Sequence, residues 1–318
     1  MDYGRAVEFG YFLTPDATRP TRPLQLAVLA DELGFDLIGV QDHPYQRRFY
    51  DTWTLLTAIA MRTERVTVFP DVANLPLRPP AVLAKATASL DLLSGGRVEL
   101  GLGAGGFWDA IKAMGGPVRT PGESVAALGE AIEVIRLMWS GERGLRYDGK
   151  FYQLAGVHSG PAPAHPIGIW IGAYKPRMLE LTGRRGDGWV PSLGYVQPPD
   201  FAVMNARIDD AARAASRDPR AIRRILNAGG TITDGPVTGL LEGPVEHWAE
   251  TLATFTTEYG MDTYLIGDSA DDAEAQLRRF ATEVAPRVRE LVAKNRASNA
   301  TLSSPPREEG SREGFEPR

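Results

Sequence analysis

The sequence predicts a single (β/α)8 barrel, or TIM barrel, of the α/β class. Eight short apolar runs of strand length alternate with amphipathic segments of helix length along most of the chain. The strand runs are apolar throughout, which is typical of parallel strands buried on both faces. A doubly wound parallel sheet is the competing α/β arrangement, and the pattern alone leaves it open.

The strand–helix units follow one another regularly. Thr21 and Pro23 suit the start of the first helix, and Gly34 suits a left-handed residue at its end. The predicted strands cover residues 7–13, 37–40, 66–70, 98–102, 167–171, 188–190, 225–228 and 263–266. The predicted helices cover residues 24–33, 52–63, 81–93, 122–139, a segment from about 176, residues 201–216, a segment after 244, and residues 271–292.

Two segments depart from this rhythm. Residues 145–154, LRYDGKFYQL, predict two short strands about an Asp148-Gly149 turn, inside an insertion over about residues 141–166. From about Arg296 the chain contains SSPPREEGSREG and almost no apolar periodicity. We therefore predict a barrel domain over residues 1–295 and a disordered tail over residues 296–318.

Composition narrows the classes of function. The formal charge, 35 − 40 = −5, gives no basic surface for phosphates, so we expect no nucleic-acid partner. The absence of cysteine excludes disulfides, thiolate nucleophiles and cysteine metal sites. No stretch approaches the roughly 20 apolar residues of a membrane span, and the first residues carry no apolar run of signal-peptide length. We expect a cytoplasmic protein without membrane contact.

The residues that follow the strands are the candidates for chemistry. In a parallel barrel they converge on one end, here called the mouth, where active sites lie. His43 is the only one of the four histidines at this mouth, and its imidazole is a candidate proton donor or relay. Asp42 beside it is a second candidate, although such a pair can also simply end a strand. No spacing of histidines and carboxylates suggests a metal site.

A glycine-rich run follows the fourth predicted strand. Gly101, Gly103 and Gly106 satisfy G-x-G-x-x-G, which is the pattern of dinucleotide-binding loops. That alternative requires a strand between Gly116 and Gly122, where the sequence shows none. The glycines otherwise allow a flat ligand to approach the backbone, or form a tight turn.

A candidate phosphate site follows the fifth predicted strand. Gly172 and Ala173 lead into a helix that begins near Pro176, and free amides at a helix N-terminus bind anions. Arg177 could add charge-assisted hydrogen bonds. The alternative is an ordinary helix start with a solvated arginine.

Three stretches resemble the luciferase-like superfamily of flavin- and deazaflavin-dependent oxidoreductases. They are LADELGFDLIGVQDHP, NLPLRPPAVLAKATASLDLLSGGRVELGLGAGG and IGIWIGAYKPRMLELTGRRGDGW. The resemblance covers about residues 8–191 and continues more weakly to about 292. It implies a (β/α)8 barrel with a flavin-type ring across its mouth, commonly in homodimers. Such proteins use coenzyme F420, which carries hydride, or FMN, often as reduced flavin with oxygen.

The resemblance also implies which positions surround the ring. The Asp-His pair would contact the ring, and a cis peptide near Asp71 would bulge against it. Asn74 would be a polar contact, and residues 103–106 would pass over the ring. The backbone amides after the fifth strand would bind the cofactor phosphate. The implied cofactor-binding positions are Asp42, His43, Asp71, Val72, Asn74, Gly103, Gly105, Gly106, Gly172 and Ala173.

The sequence differs at two positions from the sugar-phosphate dehydrogenases that it resembles. Sugar-phosphate dehydrogenases of this superfamily have a glutamate acid where Gly106 stands and a tryptophan where Gln46 or Arg47 stands, so a sugar-phosphate substrate is not implied. Asp109 is a candidate replacement for the missing acid, alongside His43 as catalytic residue.

The sequence thus predicts an oxidoreductase or monooxygenase acting on a small organic substrate, with F420 slightly preferred to FMN. A homodimer and a separate flavin or deazaflavin reductase are the expected protein partners. A cofactor-free ligand-binding barrel and a nicotinamide-dependent dehydrogenase are the alternatives.

Overall fold

The computed structural model describes residues 1–267 and 272–303. Within that part of the chain a nine-stranded, all-parallel sheet closes on itself, which confirms the (β/α)8 barrel and excludes an open doubly wound sheet. In chain order the strands are β1 Glu8–Leu13, β2 Leu37–Val40, β3 Thr67–Pro70, β4 Ala73–Asn74, β5 Leu100–Gly103, β6 Leu145–Asp148, β7 Gln153–Val157, β8 Ile169–Ile171, β9 Gly188–Trp189, β10 Arg223–Ala228, β11 Thr231–Ile232, β12 Glu242–Gly243 and β13 Thr263–Gly267.

The barrel closes between β3 and β5. The order around the sheet is β3, β2, β1, β13, β10, β9, β8, β5 and β4. The Val68 amide donates to the Arg97 carbonyl (3.0 Å), and the Glu99 amide donates to the Val68 carbonyl (3.1 Å). Since β4 continues β3 along the same side of β5, the two form one of the eight barrel strands, interrupted at residues 71–72.

The helices surround the barrel, and all but the short α4 lie close to predicted helices. They are α1 Arg22–Glu32, α2 Thr52–Ala60, α3 Pro80–Ser94, α4 Trp108–Ala113, α5 Pro121–Trp139, α6 Pro176–Arg185, α7 Pro198–Ala214, α8 Val245–Thr257, α9 Ala273–Arg279 and α10 Ala285–Ser303. Thr21 is the N-cap of α1, and Gly34 adopts the expected positive φ of 84°. A capping box between Thr120 and Glu123 starts α5.

The predicted insertion is present as an antiparallel hairpin. β6 and β7 pair from Leu145 to Val157 and pack on α5. The small parallel pair β11–β12 was not predicted, since two-residue strands are too short to show a period.

The end of the chain requires a correction. α10 runs to Ser303, so residues 296–303, expected to belong to a disordered tail, are helical. The preceding helix is continuous with α10 through a π-helical segment, Phe280–Val284. Residues 304–318, and the predicted helix start at residue 271, lie outside the described residues.

Large apolar side chains fill the barrel and form the floor of its mouth. The ring of Phe69 packs edge-on against Trp170 with the ring centroids 4.8 Å apart. The members of this interior cluster are Leu37, Phe69, Trp170, Val190, Ile225 and Leu265, with Phe12 and Val72 packed against it. The barrel is therefore solid below the mouth, and ligands can enter only from above this layer.

Candidate active site

Val72 joins three of the predicted segments at the mouth. The peptide bond between Asp71 and Val72 is cis, as the resemblance implied. The Val72 side chain packs into space left by glycines: a Cβ on Gly103 would lie 2.8 Å from Val72 Cγ2, and a Cβ on Gly172 would lie 3.1 Å from the same atom. The bend after β3, the loop after β5 and the end of β8 therefore meet in one place.

Asp42 anchors the bend from the other side. It is buried, and its carboxylate forms a bidentate ion pair with Arg78, with both N–O distances 2.7 Å. It also accepts a hydrogen bond from the Asn74 amide (2.8 Å), and Arg78 reaches Asp51, the N-cap of α2 (2.7 Å). The three hydrogen bonds to the Asp42 carboxylate hold the bend that carries Asn74, and the contact of Asp42 with a cofactor stays a prediction.

His43 faces an aromatic group at the rim. Its Nδ1 lies 2.6 Å from the Tyr45 hydroxyl, and its ring centroid lies 5.6 Å from that of Phe107, which follows the glycine loop. Burial lowers the pKa of His43, and the charge of Asp42 opposes this shift. Burial raises the pKa of Tyr45 to about 12. Both rings are therefore neutral near pH 7, and His43 can act as a hydrogen-bond donor to a ligand.

Three buried side-chain oxygens at the mouth lack a hydrogen-bond partner within the described residues. They are Asp71 Oδ2, Asn74 Oδ1 and Asn227 Oδ1. These residues retain only 7%, 7% and 8% exposure, and an unpaired buried polar atom is costly. The arrangement fits a bound polar ring, because such a ring can pair with groups that the protein leaves open.

A cavity of about 300 Å³ opens beside Asn227, the one of these three residues that lines it. Its lining contains no charged side chain among the described residues: it is formed by Phe12, Thr14, Gln41, Ser192, Gly194, Asn227, Ala228, Gly229, Leu265 and Gly267. A larger, open cavity of about 450 Å³ lies between α5 and the hairpin. None of the sequence-predicted site residues is among the residues that line the smaller cavity. We still assign the chemistry to it, because Asn227 lines it and hydrogen-bonds to Asp71.

The glycine loop has two different halves. Gly105 has a φ of +98°, and a Cβ there would lie 2.7 Å from Pro76 Cγ, so only glycine fits. Gly106 is exposed, with no atom within 4 Å of a Cβ placed on it. Asp109 is exposed in the first turn of α4 and does not line the cavity. That Asp109 replaces the acid absent at Gly106 stays a prediction, and the position of Asp109 outside the cavity lining gives it no further support.

The predicted phosphate site is only partly available. The Gly172 amide, expected to bind phosphate, donates to the Leu102 carbonyl (3.2 Å), so Gly172 instead provides room for the bend after β3. Ala173 is buried and its carbonyl accepts from Trp189 Nε1 (2.9 Å). Arg177 is exposed in the first turn of α6, and its Nη1 lies 3.6 Å from a Cβ placed on Gly122, at the start of α5. Ala173, Arg177 and the N-terminus of α6 remain the predicted anion contacts.

The sequence did not identify three residues of this site, Arg78, Asn227 and Ser192. Arg78 pairs with Asp42, and Asn227 donates from Nδ2 to Asp71 Oδ1 (3.3 Å) and Ser192 Oγ (3.2 Å). Asn227 carried a signal, since an amide at the end of an apolar strand also belongs to the mouth. The long-range pairing of Arg78 left no local signal.

Comparisons with known proteins agree with this geometry. A sequence model of the luciferase-like monooxygenase family matches residues 7–312. The F420-dependent glucose-6-phosphate dehydrogenase of Amycolatopsis mediterranei (strain U-32) is 32% identical over 226 residues, 69% of this chain and 68% of the relative. The enzyme of the same name from Intrasporangium calvum is 27% identical over 304 residues, 90% of each chain.

A solved structure shares the fold. An F420-dependent secondary alcohol dehydrogenase, in complex with an F420-acetone adduct, superimposes with a TM-score of 0.80 at 19% identity and covers 89% of this chain and 99% of its own. At that identity the likeness concerns the fold alone.

Proposed function

Because this chain belongs to the luciferase-like monooxygenase family, we propose that it is an oxidoreductase that binds coenzyme F420 or FMN at the barrel mouth and acts on a small organic substrate. The observation that carries this proposal is the group of unpartnered buried oxygens on Asp71, Asn74 and Asn227 around the glycine-packed bend, of which Asn227 lines the cavity. Curated relatives named as F420-dependent dehydrogenases favour F420 over FMN.

The cofactor supplies the hydride chemistry, or the reaction with oxygen, when it is bound. The protein supplies position and a dry environment. His43 presents a neutral imidazole at the rim, and the ion pair of Asp42 with Arg78 holds the bend that carries Asn74. The apolar layer beneath the mouth excludes water from the floor of the site.

The substrate that we propose is uncharged rather than a sugar phosphate. The sugar-phosphate dehydrogenases of the superfamily have an acid where Gly106 stands, and the described residues around the cavity contain no cation to bind a phosphate. Hydroxyl and amide groups from Thr14, Gln41 and Ser192 instead suit an alcohol or carbonyl group.

A titration of the purified protein with F420 and, separately, with FMN tests the cofactor. We expect micromolar or tighter binding of F420 and weaker binding of FMN, measured by fluorescence and calorimetry. Tight FMN binding without F420 binding would reverse the choice. At about 100 times Kd, a cofactor should stabilise the fold by about 2.7 kcal/mol, and no thermal shift with either one would favour the cofactor-free barrel.

The nicotinamide alternative is not supported. The segment between Gly116 and Gly122 forms no strand, and α4 spans only Trp108–Ala113, so the dinucleotide-binding unit is missing. The glycine loop instead packs on Val72 and Pro76.

The oligomeric state, the protein partner and the cellular location are further proposals. We propose a homodimer, a separate flavin or deazaflavin reductase as partner for oxygen chemistry, and a cytoplasmic location. None of the helices in residues 1–267 and 272–303 combines the length and apolar character needed to cross a membrane. Sedimentation of the purified chain tests the first of these proposals, because a homodimer has twice the monomer mass of 34.6 kDa.

A further inference from the structure

The smaller cavity and the predicted cofactor positions lie in different halves of the mouth. Around the sheet, β9, β10, β13, β1 and β2 are consecutive, and the described residues that line the cavity lie on these strands or in the loops after them. Apart from Asp42 and His43, which follow β2, the predicted cofactor positions lie on or after β3, β4, β5 and β8. A ring bound at those segments leaves the cavity open beside it, as a compartment for a second ligand.

The cavity fits a small ligand without charge. Its volume of about 300 Å³ is at the lower end of the range for small-molecule sites. Phe12 and Leu265 give it an apolar wall, and its lining within the described residues contains no charged side chain. A charged group in this space would lose hydration without gaining a counter-charge, so the lining selects against charged ligands.

Gln41 and Thr14 form a polar pair in the cavity lining. Gln41 directly follows β2 and is half-buried, and its Nε2 donates to Thr14 Oγ1 through a long hydrogen bond of 3.5 Å. Thr52 Oγ1 donates to the Gln41 carbonyl (2.6 Å) and so fixes the backbone at this point. Gln41 Oε1 has no hydrogen-bond partner among the described residues and, unlike Asp71 Oδ2 and Asn74 Oδ1, is not sealed from solvent.

The pair offers a ligand one acceptor and one donor side by side. The acceptor is Gln41 Oε1, and the donor is the hydroxyl proton of Thr14, since Thr14 Oγ1 itself accepts from Gln41. A ligand hydroxyl group both donates and accepts, so it can bond to both residues. A ketone oxygen only accepts, so it can bond to Thr14 and leaves Gln41 Oε1 unpaired.

We propose that this cavity is the substrate compartment, and that Gln41 Oε1 and the Thr14 hydroxyl bind the hydroxyl group of a small uncharged alcohol in preference to the corresponding ketone. The proposal rests on the function proposed above and names the substrate class of the same site. Gln41 is then the specificity-determining residue, because only its oxygen distinguishes the alcohol from the ketone. β2 carries Gln41 into the compartment and Asp42-His43 into the cofactor half, so the two ligands meet at this strand.

Pairs of alcohols and ketones of matched shape test the role of Gln41. The probes are 2-butanol with 2-butanone and cyclohexanol with cyclohexanone, and calorimetry without oxygen measures their Kd on the cofactor-loaded protein. The alcohols are measured with reduced cofactor and the ketones with oxidised cofactor, so neither is turned over. Gln41→Leu should weaken alcohol binding about tenfold, the equivalent of one hydrogen bond, and ketone binding hardly at all. Thr14→Val should weaken both, and Thr14→Ser, which keeps the hydroxyl, should restore both.

A cavity-filling variant tests the compartment independently of these hydrogen bonds. Gly267 ends β13 and lines the cavity, and the one described atom within 4 Å of a Cβ placed on it is Phe12 Cδ1, at an ordinary 3.6 Å. Gly267→Leu therefore puts a side chain into the cavity and should weaken all four probes at least tenfold, with an unchanged Kd for the cofactor. The matched control is Gly235→Leu, outside the cavity lining, where the nearest atom to a Cβ is Thr233 Oγ1 at 3.9 Å. This variant should bind the probes and the cofactor as the wild type does.

The possible failures separate the two proposals. Equal losses of alcohol and ketone binding in Gln41→Leu, or a larger loss for the ketones, would refute the role of Gln41. Unchanged probe binding in Gly267→Leu, or no probe binding by the cofactor-loaded wild type, would refute the substrate compartment and leave the cofactor site standing. Failure of the wild type to bind either cofactor would refute the proposed function and this proposal with it.

Discussion

His43 owes its protonation state and its tautomer to its neighbours. Burial lowers the pKa of the imidazole, and we infer that the neutral Tyr45 phenol, 2.6 Å from Nδ1, donates its O–H to that nitrogen. In that arrangement the ring proton lies on Nε2. These contacts explain why His43, although it lies beside Asp42, can act as a neutral hydrogen-bond donor and not as a cation.

Tyr45→Phe should release this tautomer. The ring then exchanges its proton between both nitrogens, and we expect about a tenfold loss of kcat, equivalent to about one hydrogen bond, with little change in cofactor Kd. Nitrogen-15 spectra of the histidine ring check the tautomer directly. The control is Tyr147→Phe, which removes a hydroxyl of the hairpin that donates to Glu133 of α5 (2.7 Å). Unchanged ring-nitrogen shifts in Tyr45→Phe would contradict the assignment.

Arg78 is expected to matter for stability far more than a surface arginine. Its removal in Arg78→Ala leaves the fully buried Asp42 carboxylate without a counter-charge, which costs about 3–5 kcal/mol of unfolding free energy. Arg287→Ala breaks solvent-exposed pairs with Glu246 and Glu290 and should change the free energy of unfolding far less. Urea unfolding compares the two variants, and equal losses would show that the buried pair is not the anchor that we describe.

At the scale of elements, the loop after β5 and the bend after β3 are fitted to each other through Val72. Gly103→Ala places a methyl group 2.8 Å from Val72 Cγ2, so the bend must shift, with an expected cost of about 1–3 kcal/mol and weaker cofactor binding. Gly106→Ala, in the same loop but with open space around its Cβ, should change stability little. The double variant Gly103→Ala/Val72→Ala should recover part of the lost stability. Thermal unfolding measures all three, and equal effects at the two glycines would refute the fit.

The elements also show what the sequence can and cannot predict. The barrel strands and the long helices were predictable because each carries a local period of apolar residues and local end signals such as Thr21 and Gly34. The helical residues 296–303 were missed because they follow this period only weakly. The position of His43 at the rim followed from topology, since every strand end of a parallel barrel faces the same way.

The partners of the site residues were less predictable. Arg78 reaches Asp42 across 36 positions of sequence, and Asn227 reaches Asp71 across 156. The apolar periodicity of a short sequence segment contains no information on pairs so far apart in the chain. The Gly172 amide was misassigned for a related reason, since its bond to Leu102 belongs to the pairing of two strands distant in sequence.

On the scale of the whole molecule, the two ends of the barrel differ in how their polar groups are satisfied. At the end opposite the mouth, the fully buried Arg224 bonds to Asn205, Ile222 and Asp209. At the mouth, by contrast, the three side-chain oxygens described above stay open. The division matches the general separation in such barrels between a stabilising end and a functional end.

The carboxyls of Asp71 and Glu99 make one measurable contribution to the stability of the whole molecule. Burial raises the pKa of each to about 7, so each holds its proton in the folded state at pH values where the unfolded chain, with a pKa near 4, has lost it. The free energy of unfolding that each contributes is therefore fully present below about pH 4 and declines as the pH rises to about 7. The decline is at most about 1.4 kcal/mol per pH unit for each group and stops above the folded-state pKa.

Asp71→Asn and Glu99→Gln should each remove the contribution of one carboxyl to this pH-dependent decline in the free energy of unfolding. Urea unfolding at about pH 5, 6, 7 and 8 gives the stability of each variant relative to the wild type, and that difference should become more favourable to the variant up to about pH 7 and stay constant above it. Groups that titrate in both proteins, including His43 and the ion-paired aspartates, cancel in the difference. The total change should be smaller for Glu99→Gln, because the ordinary pKa of a glutamate, 4.5, is closer to 7 than that of an aspartate, 3.8. A difference that does not vary with pH would mean that these carboxyls are already ionised in the folded protein.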